Sequence, residues 1–457
     1  CYQGVTTQIN SPKATAMTTA YNAHILEAIS LLSQAIISSI NGPLPTPLNA
    51  DREVQAILRA VGRGVMGELL QNQGQRVVER HIEEGLGVHR NMDITVECIF
   101  GPVKVASPYL RGHGRNARPV RTELGLRDGS RSEAVERALS DFGAEESFEM
   151  ASRRFEEHYG WAIGRTSILR TVKRHAERSE VYIRSRLAEV APDYDIPLAQ
   201  RPGVKQLLTE LDGCEIRTGV LQVCTDEAER TEVRQLPKRK RAEAWRDVRV
   251  GLVREIKASE KTYVARMDSY PNVVGQLFQA AVDRGLSART EVIAVADGGN
   301  GLREELGVQM PNLCFILDRP HLKGHLYETA AACGLSDEDR ESWVKNHMER
   351  IDSGKVSLVL SQLEAHKGRG KKRVLRLIKY IRRFQDAVHY ERFREQGFPI
   401  GSGEVESAHR YIPQKRLKIP GACWRPESIN PMLALRVVRA NGWWDDFWKT
   451  EQLRSSA

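Results

Sequence analysis

The 457-residue sequence has no CxxC pair, and its seven cysteines, Cys1, Cys98, Cys214, Cys224, Cys314, Cys333 and Cys423, are scattered. This spacing excludes the common structural zinc frameworks, and an odd, dispersed set is expected as reduced thiols of a cytosolic protein. No apolar run is long and uninterrupted enough to cross a bilayer, and no signal peptide is apparent. The apolar stretch Ile25–Ile40 carries Glu27, Ser30, Ser33 and Gln34, so it reads as a core-facing helix. A strong charge of one sign is also missing. Lys plus Arg is 68 against 59 for Asp plus Glu, a formal charge of +9. That excess favours a polyanionic partner without establishing one. The first residue is not Met, so a natural start farther upstream is expected.

The length suits roughly two to four domains. Residues 1–90 form a helical region, with helical patterning at 18–40 and 50–84 separated by Asn41-Gly42-Pro43. Met92–Val96 and Gly101–Val105 alternate as short strands, and 111–131 is rich in Gly and Arg. Residues 91–131 are therefore expected as a small β unit with an exposed basic loop. In 132–205, helices are expected at Ser132–Leu139, Glu145–His158 and Thr166–Arg178. Ile168, Leu169 and Val172 would face inward, and Arg170, Lys173 and Arg174 outward. A compact support carrying a basic outer helix is what a helix-turn-helix needs for the major groove, although small bundles with solvated basic faces share the pattern. Pro192, Pro197 and Pro202-Gly203 mark a linker.

Beyond it the patterning changes to short apolar strands. Val220–Thr225 reads as a buried strand delivering Asp226. Val248–Ile256 and Thr262–Met267 follow as strands, Asn272–Arg284 as a helix, and Val292–Ala296 as a strand ending on Asp297. Leu302–Leu306 suits a short helix and Leu313–Leu317 a strand ending on Asp318. Three strands, helix, strand, helix, strand is the order of an RNase H-like α/β sheet, in which the first and fourth strands are neighbours. Asp226 and Asp297 would then approach one another at 206–334, the first part of the core.

Paired carboxylates suit phosphodiester chemistry. Two Mg²⁺ ions about 4 Å apart polarise a nucleophile and neutralise charge at phosphorus, and hard cations take carboxylate oxygens. An Asp at a strand end also serves to cap a helix or order a turn. A third acid is offered by Gly401-Ser402-Gly403-Glu404-Val405-Glu406-Ser407-Ala408-His409. Glu404 and Glu406 cannot share a direction on a helix, and spacing does not choose between them.

The run GSGEVESAHRYIPQKRLKIPGACWRPESINPMLALR, at 401–436, resembles transposases of the ISKra4 group, a bacterial insertion-sequence family. VADGG at 295–299 is similar to the family's second-Asp motif, and LDRPH at 317–321 to its Asp-x-x-His element. The resemblance is strong over about 290–440, moderate over 215–257 and loose over 92–180. It implies a DDE triad of Asp226, Asp297 and Glu406 holding two Mg²⁺ ions, with Mn²⁺ as a substitute. At the first acid the family usually reads Asp-Gly, where this chain has Asp226-Glu227, and Glu227 stands as an alternative first ligand. The resemblance also implies an all-helical insertion in the nuclease fold, at 335–395, before the last part of the core at 396–457.

Within the insertion, Lys367, Arg369, Lys371, Lys372 and Arg373 form the densest basic run, which Arg376 and Lys379 extend over a helical surface. DNA phosphates are the expected target. Arg416 and Lys418, from the Arg-Leu-Lys element, are also assigned to DNA. Asp318 and His321 are expected beside the site in an organising role. With His325 they could form a metal site, and capping and packing are the plainer alternative. Trp424 either packs or stacks on an unpaired base, and Trp443, Trp444 and Trp448 are expected to anchor a C-terminal helix.

These expectations describe a DNA transposase of the bacterial cytoplasm, associated with the nucleoid. It would bind double-stranded DNA with terminal inverted repeats and target DNA as a homodimer or higher oligomer. Two competing readings are a structure-selective nuclease on the same core and a transposase-derived DNA-binding protein with a decayed site. A carboxylate-pair glycosidase explains neither the basic insertion nor the strand order.

Overall fold

The computed structural model describes residues 27–38, 50–125, 130–190, 198–223, 239–299 and 301–456. They fall into two compact units, residues 1–135 with 155–162, and 136–154 with 163–457. Among the described residues, no helix is long and apolar enough to cross a membrane.

In the first unit, residues 27–38 are helical, but Ile29, Leu31 and Ile37 are exposed and not core-facing as expected. The long helix α1 (Ala50–Glu83) follows, with Asp51 and Glu53 in its first turn and Arg80 and His81 in its last. These charges complement the helix dipole. Strands β1 (Gly87–Arg90), β2 (Asp93–Cys98), β3 (Gly101–Ala106), β4 (Tyr109–Gly112) and β5 (Arg115–Ala117) follow, then the short helix α2 (Pro119–Glu123). β2 and β3 form an antiparallel hairpin, and β1, β4 and β5 a separate three-stranded sheet. Val77 of α1 packs with Val96, Cys98, Val103, Val105 and Val120. Gly74 makes this approach possible, since a Cβ there would stand 3.2 Å from Val120 Cγ1. The exposed loop expected over 111–131 is corrected in part. Pro119 opens a helical turn that buries Val120, while residues 126–129 lie outside the described residues.

Three helices precede the main sheet: α3 (Glu133–Glu145), α4 (Phe148–Tyr159) and α5 (Arg165–Val190). The sheet region runs β6 (Gln206–Val223), β7 (Arg239–Glu255), β8 (Lys261–Arg266), α6 (Tyr270–Asp283), β9 (Glu291–Ala296), α7 (Leu302–Gln309) and β10 (Leu313–Leu317). Helices α8 (Arg319–Cys333), α9 (Asp337–Asp352), α10 (Val356–Glu364), α11 (Lys371–Arg383) and α12 (Tyr390–Glu395) come next. The chain ends with α13 (Gly403–His409), a π-helical turn at Arg410–Gln414, α14 (Lys415–Leu417), α15 (Ile429–Ala440) and α16 (Trp444–Ser456).

The five strands are ordered β10-β9-β6-β7-β8. β6 runs parallel to β9, and β9 to β10, while β7 is antiparallel to both of its neighbours. Val292–Ala296 are buried on both faces, which explains their unbroken apolar sequence. The first strand departs from expectation. It begins at Gln206, not Val220, and Leu207, Leu208 and Leu211 are its core residues. Beyond Leu211 it pairs with β7 and no longer with β9. Val220 and Leu221 lie on that extension and are about half exposed, 47% and 49%.

The helices between β10 and α13 are not a separate body. Val344, Ile351, Val359, Leu377 and Ile381 belong to the same hydrophobic cluster as Ile293, Val295 and Ile316 of the sheet. Helical structure is not continuous over Lys371–Glu395. α11 stops at Arg383, a 3₁₀ turn occupies Gln385–Ala387, and α12 follows. Phe384, Ala387 and Val388 are buried at the break, so core packing overrides helix continuity there.

Candidate metal centre and nucleic-acid surface

β6 and β9 pair in register from Gln206–Glu291 to Leu211–Ala296. The next residue on each strand is an aspartate, Asp212 and Asp297. Level residues of neighbouring parallel strands lie about 4.8 Å apart and point to one face, so the two positions share one face of the sheet where the pairing stops. β10 continues the row, because Leu317 is level with Ala296 and Asp318 follows it. Three aspartates thus follow the last residues that pair these three parallel strands, although β6 itself continues beyond Asp212.

The β6 residue level with Asp297 is Asp212, where the sequence had suggested Asp226. β6 extends to Val223, eleven residues past Asp212 or about 36 Å at ~3.3 Å per residue, before the described residues stop. Asp226 and Glu227 lie outside the described residues. A sequence signal was present in Leu211-Asp212-Gly213, which closes the apolar run Leu207-Leu208. Thr209 and Glu210 interrupt that run, whereas Val220–Cys224 is broken by Gln222 alone and drew the strand assignment downstream.

The three aspartates differ in their surroundings. Asp297 Oδ1 accepts from Gly299 N–H (3.1 Å). Asp212 Oδ1 accepts from Gly213 N–H (2.7 Å). Asp318 is fully buried and caps α8, accepting from His321 N–H (2.9 Å) and Ser402 N–H (2.9 Å), with His321 Nδ1 at 3.2 Å. Burial opposes its ionisation, but the bonds from His321 and Ser402 outweigh it and hold the carboxyl below its ordinary range. Asp318 therefore fastens the end of β10 to the loop before α13.

His321 is clamped at Nδ1. The bond with Asp318, followed by the charges of Asp297 and Asp212, raises its pKa above the ordinary histidine value despite burial. His325, one turn farther along α8, meets the Tyr380 ring edge-on at 4.6 Å and accepts from Arg373 at Nδ1 (3.2 Å). Burial and the nearby Arg373 lower its pKa. Tyr380 Oη accepts from Gly298 N–H (3.2 Å). Burial, with the charges of Asp297 and Asp318, raises that phenol well above its ordinary pKa. A Cβ on Gly298 would stand 2.4 Å from the Tyr380 ring, so the Asp-Gly-Gly sequence lets α11 close over the end of β9.

α13 lies against β6. Glu210 Oε2 accepts from Val405 N–H (2.8 Å) at its start. Burial, with the charges of Glu404 and Asp318 adding to it, pushes the Glu210 carboxyl up to about 7. Glu404 accepts from Arg254 Nε (2.9 Å) and Lys261 Nζ (2.6 Å), which hold it below its ordinary pKa against the cost of burial. Glu406 is exposed. His409 is 2% exposed, and its Nε2 lies 3.5 Å from Asp212 Oδ2. Burial lowers its pKa and the Asp212 charge opposes the shift. Glu210, Tyr380 and His409 were missed by sequence reasoning, because nothing in their local patterns separates them from ordinary packing residues.

Among the described residues, no three of His, Cys, Asp and Glu stand close enough together to enclose a cation. Asp212 and Asp297 nonetheless suit Mg²⁺ or Mn²⁺. Mg²⁺ is commonly held through one or two carboxylates, with water and substrate phosphates completing its shell.

The expected DNA contacts divide. Lys367, Arg369, Lys371, Lys372, Arg376 and Lys379 are exposed, as is Lys418. The Lys418 charge opposes the effect of burial on the Cys214 thiol, which burial pushes up to about 11. Arg373 is half-buried and paired with Glu328. Arg416 is a correction. It is 3% exposed, donates Nε–H to Gly143 O (2.8 Å) and lies over the Phe148 and Trp424 rings at 4.6 and 4.8 Å. Burial lowers its pKa to about 10. Its alternating context Lys415-Arg416-Leu417-Lys418 gives no hint of which cation turns inward.

α5 carries Arg170 and Lys173 exposed, but Arg174 pairs with Glu136 and Lys173 lies 3.7 Å from Glu177. Leu169, expected inward, is 43% exposed, while Ile168 and Val172 are buried. The inner face of α5 packs on the C-terminal helices. His175 lies between Glu136 (2.9 Å) and Glu451 (3.1 Å), and Tyr182 packs on Phe447 with ring centroids 5.5 Å apart. Trp443, Trp444 and Trp448 are buried in this layer. Trp424 donates Nε1–H to Leu417 O (3.1 Å).

No family model and no curated protein matches the chain. Among solved structures it is similar to the Drosophila P element transposase strand transfer complex, at 11% identity and TM-score 0.24, over 74% of this chain and 85% of that one. It is also similar to a pre-cleavage Mos1 transpososome and to the Mos1 strand transfer complex. Both are 11% identical over 57% of this chain and 78% of those chains, with TM-scores of 0.15 and 0.14. These structural neighbours are transposase complexes, but likenesses at such scores establish neither a family nor an activity for this chain.

Proposed function

We propose that the chain is a divalent-metal-dependent DNA transposase of DDE type, with Asp212, Asp297 and Glu406 as its acids. The observation that carries this reading is the level position of Asp212 and Asp297 on adjacent parallel strands. The sheet supports it. Numbered by sequence, the strands lie third, second, first, fourth, fifth, with the second antiparallel, which is the order of an RNase H-like core. Asp212-Gly213 also supplies the Asp-Gly pair that the ISKra4-group resemblance expects at the first acid, and Asp226-Glu227 does not.

Asp212 and Asp297 would hold Mg²⁺ or Mn²⁺, which when bound polarises a nucleophile and neutralises charge at the phosphorus. Glu406 is the better third acid, because Arg254 and Lys261 already engage Glu404. Asp318 orients His321 toward the two aspartates, where the imidazole can donate to a phosphate oxygen of the cleaved strand. The reaction begins with hydrolysis of a phosphodiester at the element end, freeing a 3′-hydroxyl. That hydroxyl then attacks a phosphodiester of target DNA. The exposed cations at 367–379 bind the DNA backbone. Joining two terminal repeats requires at least a dimer on DNA.

The test is incubation with candidate terminal repeats and Mn²⁺. Nicking and strand joining are expected from the intact protein and lost in Asp297→Ala. Equal nicking by both would sink the proposal, and nicking without joining would leave a nuclease instead.

A further inference from the structure

His409 is buried on α13, and neither Nδ1 nor Nε2 has a hydrogen bond of ordinary geometry among the described residues, the Asp212 backbone being a polar group within looser reach. A buried polar group without a partner is costly and needs a physical reason. Its closest charged neighbour is Asp212, and the 3.5 Å from Nε2 to Oδ2 exceeds the usual N–H···O length. The ring is not placed by chance. Glu210 takes Val405 N–H at one end of α13, and Arg254 and Lys261 hold Glu404. Val405, Ala408 and His409 form the buried face of this helix. Glu406, three residues before His409, flanks it on the exposed side.

We propose that His409 is a nitrogen ligand sharing one divalent cation with Asp212, and that this mixed set favours Mn²⁺ over Mg²⁺. The inference rests on the assignment of Asp212 to the metal centre. Nε2 and Oδ2, 3.5 Å apart on separate elements, have the spacing of two donors to one cation. Mg²⁺ prefers oxygen and keeps its water, whereas imidazole suits transition metals. An all-carboxylate centre would lack this bias.

The test measures cation binding, not turnover, in the full chain. Mn²⁺ affinity is read by titration calorimetry, and Mg²⁺ by competition. His409→Gln is expected to weaken Mn²⁺ about 10-fold and Mg²⁺ less than about 3-fold. An unchanged Mn²⁺ to Mg²⁺ ratio, with Asp212→Asn abolishing binding, would overturn the His409 assignment and leave Asp212 standing. Wild-type binding by Asp212→Asn would instead remove the parent reading. Should His409→Gln fail to fold, pulsed electron paramagnetic resonance of Mn²⁺ bound to His321→Gln decides. A nitrogen coupling there is expected from His409, and its absence overturns the proposal.

Discussion

Asp212 and Asp297 stand at one level on neighbouring parallel strands, each a single residue past the paired Leu211 and Ala296. This juxtaposition needs no loop to create it, because strand pairing sets it. It also separates two candidates for the first acid that lie 14 residues apart on one stretch of sequence.

Asp212→Asn is therefore expected to lower Mn²⁺-dependent cleavage at least about 100-fold, beyond the loss typical of residues that only support a metal ligand. Asp226→Asn should retain activity within about 3-fold of the parent, well short of that loss. Single-turnover nicking of a labelled terminal-repeat duplex measures both. The reverse pattern would restore Asp226 to the site.

Gly298→Ala is expected to cost roughly 1–3 kcal/mol, since the added methyl overlaps the Tyr380 ring and the Phe384 edge. Denaturant melts would record it. Pairing the change with Tyr380→Ala should recover part of the loss, because the ring then leaves. If both single variants and the double variant show additive losses, the overlap is not the cause.

The two groups of basic residues should behave in opposite ways. Replacing Lys367, Arg369, Lys371 and Lys372 by Ala should flatten the salt dependence of DNA binding by up to ~3–4 in log–log slope, about 0.9 for each phosphate no longer neutralised. Arg416→Ala should leave that slope intact and destabilise the fold on the order of 3 kcal/mol, because it removes the buried guanidinium and leaves the Gly143 carbonyl and the Phe148 and Trp424 rings without their partner. A changed slope with unchanged stability in Arg416→Ala would return this residue to the DNA surface.

Glu451 predicts an acid limit. Burial disfavours its charge, but hydrogen bonds from His175 and Arg178 outweigh this and lower its pKa. A carboxylate with a depressed folded pKa adds stability that is fully present above the unfolded value, about 4.3, and is lost as pH falls through the folded value. Stability should therefore drop below about pH 4. Glu451→Gln should lose roughly 3–5 kcal/mol at pH 7, because it leaves buried partners unmatched, and should flatten the acid limb. Thermal melts from pH 3 to 8 test this. An unchanged acid limb would show that other groups set it.

Much of the fold was legible. β10 falls on Leu313–Leu317 as expected, and β9 begins one residue early. Both are buried strands whose apolar runs are short and closed by turns. The first strand was not legible, since Thr209 and Glu210 break its pattern, the one bonding across to β7 and the other to α13. Leu252 O receives the Thr209 hydroxyl, and Val405 N–H donates to Glu210. Arg416 misled for the opposite reason: a guanidinium can be buried when carbonyls and aromatic faces replace water, and that exchange depends on distant residues.

The sequence by itself determined the order of strands and helices, the Asp-Gly-Gly turn after β9, and the basic run at 367–373. All three are local, set by periodicity, by glycine where a ring must close in, and by charge density. Only the tertiary structure decided which aspartate stands beside Asp297, which of Glu404 and Glu406 is already bound to cations, and that His409 faces Asp212. Those relations join residues up to about 200 positions apart, and they come from strand register and from packing across the sheet, which no local pattern encodes.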